Sequence, residues 1–322
     1  MVLAFVEHDG GELDDASAQT LTLARDLATG VDEPLEAIAF GPEATAVAHD
    51  AGVYGATVVN AVEHDDLDNY APEAYARTVV QCAEGTGTDA VVAPGTDRGS
   101  EVLAHAAAKL DETMAAEVVE VDPDGDAYQL TRQRWGGTLL EHARLDADTK
   151  VLTVAPNEVS ASPTDDDPAD VNPFTPDLEA GDLRVQCLRT EASDTEGVPL
   201  GEARIVVSGG RGTDGDFEAL EELAERLPDA AVGASRAAVN EGWRPHDDQI
   251  GQTGTKIAPE IYIPCGISGA VQHMVGCKGA ENILAVNTDP DAAIVGKADW
   301  VVVANLHEVV PAVVEELDRR TE

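Results

Sequence analysis

The residues best able to do chemistry are gathered in a series of small-residue loops between Ser208 and Asn305. In order they are Ser208-Gly-Gly-Arg-Gly212, Gly233-Ala-Ser-Arg236, Gly251-Gln-Thr-Gly254, Gly266-Ile-Ser-Gly-Ala-Val-Gln-His273 and Asn287-Thr-Asp-Pro290. Each falls where a strand-like pattern gives way to a helix-like one. Glycine lets a backbone approach a ligand closely, and a helix start offers N–H groups to phosphate. Each loop also brings donor-rich side chains. The ordered set predicts a cradle for a long, phosphate-bearing cofactor, and a dinucleotide fits.

Other chemistries find less support. Gly251-Gln-Thr-Gly-Thr-Lys256 looks like part of a P-loop, but the spacing fails and Ile257 stands where Ser or Thr is needed. No nucleotide hydrolysis is expected. The histidines never pair at metal-ligand spacing, so no metal site is expected. Cys82, Cys187, Cys265 and Cys277 form no CxxC pair and read as reduced thiols. Cys265 and Cys277 flank the Ser268–His273 loop and are expected to pack as small hydrophobes. Two alternatives stay open. A NAD(P)-dependent dehydrogenase needs a GxGxxG after the first strand, which Val6-Glu-His-Asp-Gly-Gly11 does not supply. A nucleotide-binding module without a redox role, built on the N-terminal half, leaves the later loops unexplained.

The net charge of -42, from 62 Asp and Glu against 20 Lys and Arg, excludes a nucleic-acid footprint, which needs the opposite sign. With 43% apolar residues in periodic runs the chain is globular rather than disordered. Such a surface repels itself unless salt screens it, so the expected setting is the cytoplasm of a salt-accumulating halophile. Met1-Val-Leu-Ala-Phe-Val6 enters a strand directly and carries no signal-peptide pattern. No run approaches the roughly 20 apolar residues of a membrane span, so the chain is not expected to be membrane-embedded.

The elements that must hold these loops follow an alternating pattern. Strands are expected at 2–6, 35–40 and 90–94, with helices at 14–27, 71–85 and 100–110. Consecutive strands follow at 128–134, 139–144 and 150–155, the first two joined by the Trp135-Gly-Gly137 turn. From Asn157 to Gly181 Pro and Asp dominate, which reads as an exposed acidic loop. After an apolar stretch at 183–188, a polar segment marks the domain join. The second half offers strands at 204–208, 231–234, 260–264, 283–286 and 300–304, and helices at 217–227, 269–275 and 306–319. Short connections between alternating elements imply right-handed crossovers. The expected fold is α/β, with two domains each built on a mainly parallel, doubly wound sheet. The boundaries are 1–192, a linker at 193–202, and a cofactor-binding domain at 203–322.

The motifs from Ser208 to Leu317 resemble, in order, the C-terminal domain of the electron transfer flavoprotein alpha subunit family. Val232-Gly-Ala-Ser-Arg-Ala-Ala-Val239, Gln249-Ile-Gly-Gln-Thr-Gly254, Ala258-Pro-Glu260 and Gly266–His273 carry most of the resemblance. Val2-Leu-Ala-Phe-Val-Glu-His8 and Ala93-Pro-Gly-Thr96 extend it less tightly to the N-terminal half. The resemblance implies one subunit of an alpha–beta heterodimer holding FAD in its C-terminal domain, with the N-terminal domain contacting the beta subunit. Electrons would pass from flavin dehydrogenases, such as acyl-CoA dehydrogenases of fatty acid beta-oxidation, to a membrane quinone oxidoreductase. A bifurcating flavoprotein is the alternative within the same family.

The resemblance also implies roles for individual residues. Electron transfer by flavin asks the protein for binding, orientation and tuning rather than for an acid, base or nucleophile, so no catalytic residue is expected. Arg236 and His273 fall at the N1/O2 edge, where positive charge favours reduced flavin. Thr253 falls at N5, with Gln249, Ile250, Gly251 and Gln252 shaping that wall, and Arg211 lies beside the ring. Ser235 and the run Ser268, Gly269, Ala270, Val271 and Gln272 fall at pyrophosphate and ribityl. Asn287, Asn305 and Leu306 fall toward the adenosine. Asn305 departs from the family's usual Asp and so brings no charge to that contact.

Overall fold

The computed structural model describes residues 1–67, 69–135, 137, 139–164, 167–187, 189, 198–201 and 203–321. The chain divides into two units, Met1–Glu191 and Ala192–Glu322. Most of the linker expected at 193–202 lies outside the described residues, as do Gly136 of the expected turn and Leu188 of the apolar stretch.

In the first unit, apolar runs of four to five residues form buried parallel strands, and the intervening amphipathic segments form helices. Strand β1 (Val2–Phe5) leads to a short antiparallel pair, β2 (His8–Asp9) and β3 (Glu12–Leu13), then to helix α1 (Asp15–Val31). There follow β4 (Leu35–Ala39), α2 (Ala48–Val53), β5 (Val58–Val62), α3 (Pro72–Thr86), β6 (Ala90–Pro94) and α4 (Asp97–Leu110). The unit continues with β7 (Met114–Asp124), β8 (Ala127–Arg134), β9 (Leu139–Leu145), β10 (Lys150–Val154) and β11 (Asp170–Phe174). The sheet order is β11-β5-β4-β1-β6-β10-β7-β8-β9. It is parallel except where β8 runs antiparallel to β7 and β9. Alternation along β1 sends Val2 and Ala4 to the face covered by α1 and α2, and Leu3 and Phe5 to the face covered by α3 and α4.

The sequence expectation omits α2, β5 and the β2–β3 pair, and three further features differ from it. The strand β10 does not continue the meander of β8 and β9 but inserts between β6 and β7. The long strand β7 was not expected: it carries Val118, Val119 and Val121, but its start at Met114-Ala-Ala-Glu117 favours helix, and pairing with β8 and β10 decides for strand. The acidic segment expected as a loop contains β11, an exposed edge strand on β5, where Pro173 is tolerated.

The second unit is an all-parallel sheet of β12 (Ile205–Gly209), β13 (Ala230–Ser235), β14 (Gln249–Ile250), β15 (Ile261–Cys265), β16 (Asn282–Asn287) and β17 (Trp300–Val303). Helices α5 (Glu218–Glu225), α6 (Arg236–Asn240), α7 (Val271–Gly276) and α8 (Leu306–Thr321) connect and cover it. The strand order is β14-β13-β12-β15-β16-β17. Counted within the unit this is 3-2-1-4-5-6, the doubly wound order in which the chain reverses direction across the sheet between its first and fourth strands. Residues of α5, α6 and α8 pack in one cluster with Val207, while Met274 and Cys277 at α7 pack in another with Val206 and Tyr262. The helices that follow β12 and β15 therefore lie on opposite faces of the sheet, the arrangement that leaves a crevice at the strand ends. No helix among the described residues is long and apolar enough to cross a membrane.

Candidate functional site

The crevice at this reversal point is a cleft of about 730 Å³. That volume suits a cofactor site. Four strand ends supply its walls.

The loop after β12 brings Arg211 and Gly212 on a single 3-10 turn. Backbone hydrogen bonds tie it to the loop after β15: Gly210 N donates to Cys265 O (2.9 Å) and Gly212 N to Gly266 O (3.1 Å). Gly266, at φ 62°, needs the left-handed region that glycine alone enters freely. At the end of β13, Ser235 caps α6 by accepting from Ala238 N at 3.3 Å, and Arg236 opens the helix. The loop after β15 contributes Ser268 and Ala270, and α7, which follows it, contributes Gln272 and His273. From β16 comes Asn287, whose Nδ2 donates to Ile267 O (2.8 Å) and whose Oδ1 accepts from Asp289 N (3.0 Å). The first bond ties the β15 loop to the end of β16, and the second closes the β16 loop on itself.

The cleft thus unites Arg211, Ser235, Arg236, Ser268, Ala270, Gln272, His273 and Asn287. The segment Gln249, Ile250, Gly251, Gln252 and Thr253 is not part of its wall but is stitched to α7 beside it. Gln252 N donates to Gln272 O (2.7 Å), and Gln249 Nε2 donates to Thr253 Oγ1 (3.1 Å). Gln249 and Ile250 are buried. Gly269 packs against Ile294, and the Val271 side chain is exposed outside the wall. Asn305 and Leu306 also lie outside it. Asn305 Oδ1 accepts from His307 N (3.0 Å) at the start of α8, and Leu306 is buried beneath Gly266.

The electrostatics are unusual for so acidic a chain. Most of its basic side chains are ion-paired, yet Arg211 and Arg236 form no ion pair among the described residues. His273 is buried and held on both sides: its Nε2 lies 2.6 Å from the Tyr262 hydroxyl and its Nδ1 3.2 Å from the Ile250 carbonyl. Burial lowers its pKa to about 4, against the opposing pull of that carbonyl, so the ring is neutral near pH 7. The positive charge of the cleft is thus left to the two arginines. Among the described residues no group of three His, Cys, Asp or Glu side chains could hold a metal ion.

Thr288 and Asp289, within a loop the sequence placed in the cradle, line the cleft, whereas sequence reasoning missed Asn240 and Tyr262. Asn240 lines the cleft too. Asn240 stands four residues after Arg236 on α6, and that spacing is the signal that could have found it. Tyr262 reads as an ordinary core residue of β15, and no local pattern ties it to His273.

Comparison with known proteins bears on both units. Residues 2–178 match the family model described as electron transfer flavoprotein domain, and residues 199–278 match the electron transfer flavoprotein FAD-binding domain. An electron transfer flavoprotein subunit alpha of Thermoanaerobacterium thermosaccharolyticum is 33% identical over 320 residues, covering 98% of this chain and 97% of that protein. The subunit alpha of Pseudomonas aeruginosa is 36% identical over 314 residues, covering 96% and 97%. A probable mitochondrial subunit alpha of Caenorhabditis elegans is 36% identical over 312 residues, covering 96% and 91%.

Proposed function

The chain belongs to the electron transfer flavoprotein alpha subunit family, and from that membership we propose that its FAD lies in the cleft between β12 and β15. It is an electron carrier rather than an enzyme, and FAD is its cofactor. The observation that carries the placement is the pair Arg211 and Arg236. In a chain of net charge -42, two arginines without an ion pair among the described residues face one cleft. Two exposed guanidinium groups without an ion pair, facing one cleft, favour an anionic ligand.

The residues fit this cofactor. Bound FAD supplies the redox chemistry, and the chain supplies binding and tuning. Arg211 and Arg236 would hold negative charge, Arg236 near the flavin ring. Ser235, Ser268 and Gln272 would hydrogen-bond pyrophosphate and ribityl, and Asn287 would meet the adenosine half. Thr253, with Gln249 to Gln252, would reach the flavin from beside α7, and His273 would pack at the ring edge.

Members of this family pair with a beta subunit, and the same partner is proposed here, docked on the first unit. The free edge of β9 with exposed Leu139 and Leu140, and exposed Trp135 at its turn, offers an apolar surface for it. Flavin dehydrogenases of fatty acid beta-oxidation are the proposed donors and a membrane quinone oxidoreductase the proposed acceptor. The acidic surface supports a halophilic cytoplasm as the setting.

The test is to purify the chain with its beta subunit, record the visible spectrum, and add a reduced acyl-CoA dehydrogenase. Oxidised-flavin bands that bleach on mixing are expected. A colourless complex, or one that responds to nicotinamide alone, would refute the reading.

A further inference from the structure

We infer that Tyr262 is a positioning residue of the cleft, fixing the tautomer and orientation of His273 through its phenol; the consequence for FAD rests on the placement proposed above. One hydrogen-bond chain through this imidazole joins four elements of the second unit: Ser208 on β12, Tyr262 on β15, His273 on α7 and Ile250 on β14. Ser208 Oγ donates to the Tyr262 oxygen at 2.6 Å. The phenol proton is then free for an acceptor, and Nε2 of His273 lies 2.6 Å away. On the other side of the ring, the Ile250 carbonyl at 3.2 Å can only accept, so Nδ1 carries the proton. Every donor in the chain Ser208, Tyr262, His273, Ile250 thus finds one acceptor, and the imidazole is locked as the Nδ1–H tautomer.

The surroundings reinforce that state. Ser208 and Tyr262 are fully buried, and His273 is 7% exposed. Protonating Nε2 would turn a donor toward a donor and break the relay. The Cys277 thiol also contacts this segment, at 3.6 Å from the His273 carbonyl, and burial pushes its pKa up to about 12, so it supplies no charge. The cleft therefore receives a neutral ring of fixed orientation, and its positive charge does not vary with His273 between pH 6 and 8.

The experiment is nitrogen NMR of the full chain labelled at histidine, with His273→Gln assigning the ring, alongside FAD titration by fluorescence. Wild type is expected to show the Nδ1–H tautomer throughout pH 6 to 8. Removing the donor to Nε2 in Tyr262→Phe should give mixed tautomers, raise the His273 titration midpoint by about one unit, and weaken FAD retention about fivefold. Ser208→Ala should shift the same signals in the same direction by less, and it decides the matter if Tyr262→Phe does not fold. Unchanged ring signals in a folded variant would overturn the inference, as would altered ring signals with undiminished FAD retention. The ring signals are read without cofactor, so failure of wild type to bind FAD would count against the cofactor placement alone.

Discussion

Gly212 and Gly266 meet backbone to backbone across the reversal point of the second sheet: a Cβ on either would stand 2.7 Å from the Cα of the other. No neighbouring side chain can yield to relieve that contact, because both partners are main chain. The closeness of the two loops sets the floor of the cleft.

Gly266→Ala should accordingly be severe. It combines a positive φ with overpacking, for a loss of roughly 2–4 kcal/mol. Urea unfolding followed by second-unit fluorescence from Trp243 and Trp300 measures it, with FAD retention recorded in parallel. A variant as stable as wild type would show that the two loops stand apart.

Arg236→Ala should lower the flavin reduction potential while much of the FAD stays bound. Loss of positive charge near the ring disfavours the added electrons. Potentiometric titration resolves the expected drop of roughly 30 mV, worth about 1.4 kcal/mol for a two-electron couple. An unchanged potential would remove Arg236 from the ring edge.

The cleft was legible in sequence because each glycine-bearing loop sits at the end of a strand, and a parallel sheet gathers those ends on one edge. What sequence could not provide was pairing. A two-residue edge strand such as β14 is too short to carry periodicity, so Gln249 and Ile250 read as loop. Their place beside α7 is set by Gln252 bonding to Gln272. Asn305 and Leu306 follow the same logic in reverse. Both stand at the correct strand end, yet one caps its own helix and the other is taken into the core. The strand β7 was hidden by a start, Met114-Ala-Ala-Glu117, that favours helix, and β11 by an exposure that leaves no apolar alternation.

In the first unit, Glu7 accepts a hydrogen bond from Thr96, the N-cap of α4. Burial raises its pKa above 4.5, although the Thr96 bond and Arg98 pull the other way. The folded state therefore holds this proton more tightly than the unfolded chain. The resulting stability is present below pH 4.5 and is lost as pH rises through the folded value. Glu7→Gln keeps an acceptor for Thr96 and removes the buried charge. Its melting temperature should exceed that of wild type at pH 7 and lose that advantage near pH 4. Equal destabilisation at both pH values would contradict the assignment.

Salt should stabilise the chain strongly. At 1 M the Debye length is about 3 Å, short enough to screen most repulsion among 62 acidic residues. The melting temperature is expected to rise from low salt to multimolar KCl, and more steeply for the complex with the beta subunit. A flat or falling midpoint would refute the halophilic reading.

The placement of FAD in the second unit is tested most directly by dividing the chain. One fragment begins near Gly201 and the other ends near Pro199; each is co-produced with the beta subunit and examined by visible absorption. The fragment that contains β12 to β17 should carry the oxidised-flavin bands, at one FAD per chain. Flavin bands that instead follow the fragment ending near Pro199 would contradict the placement.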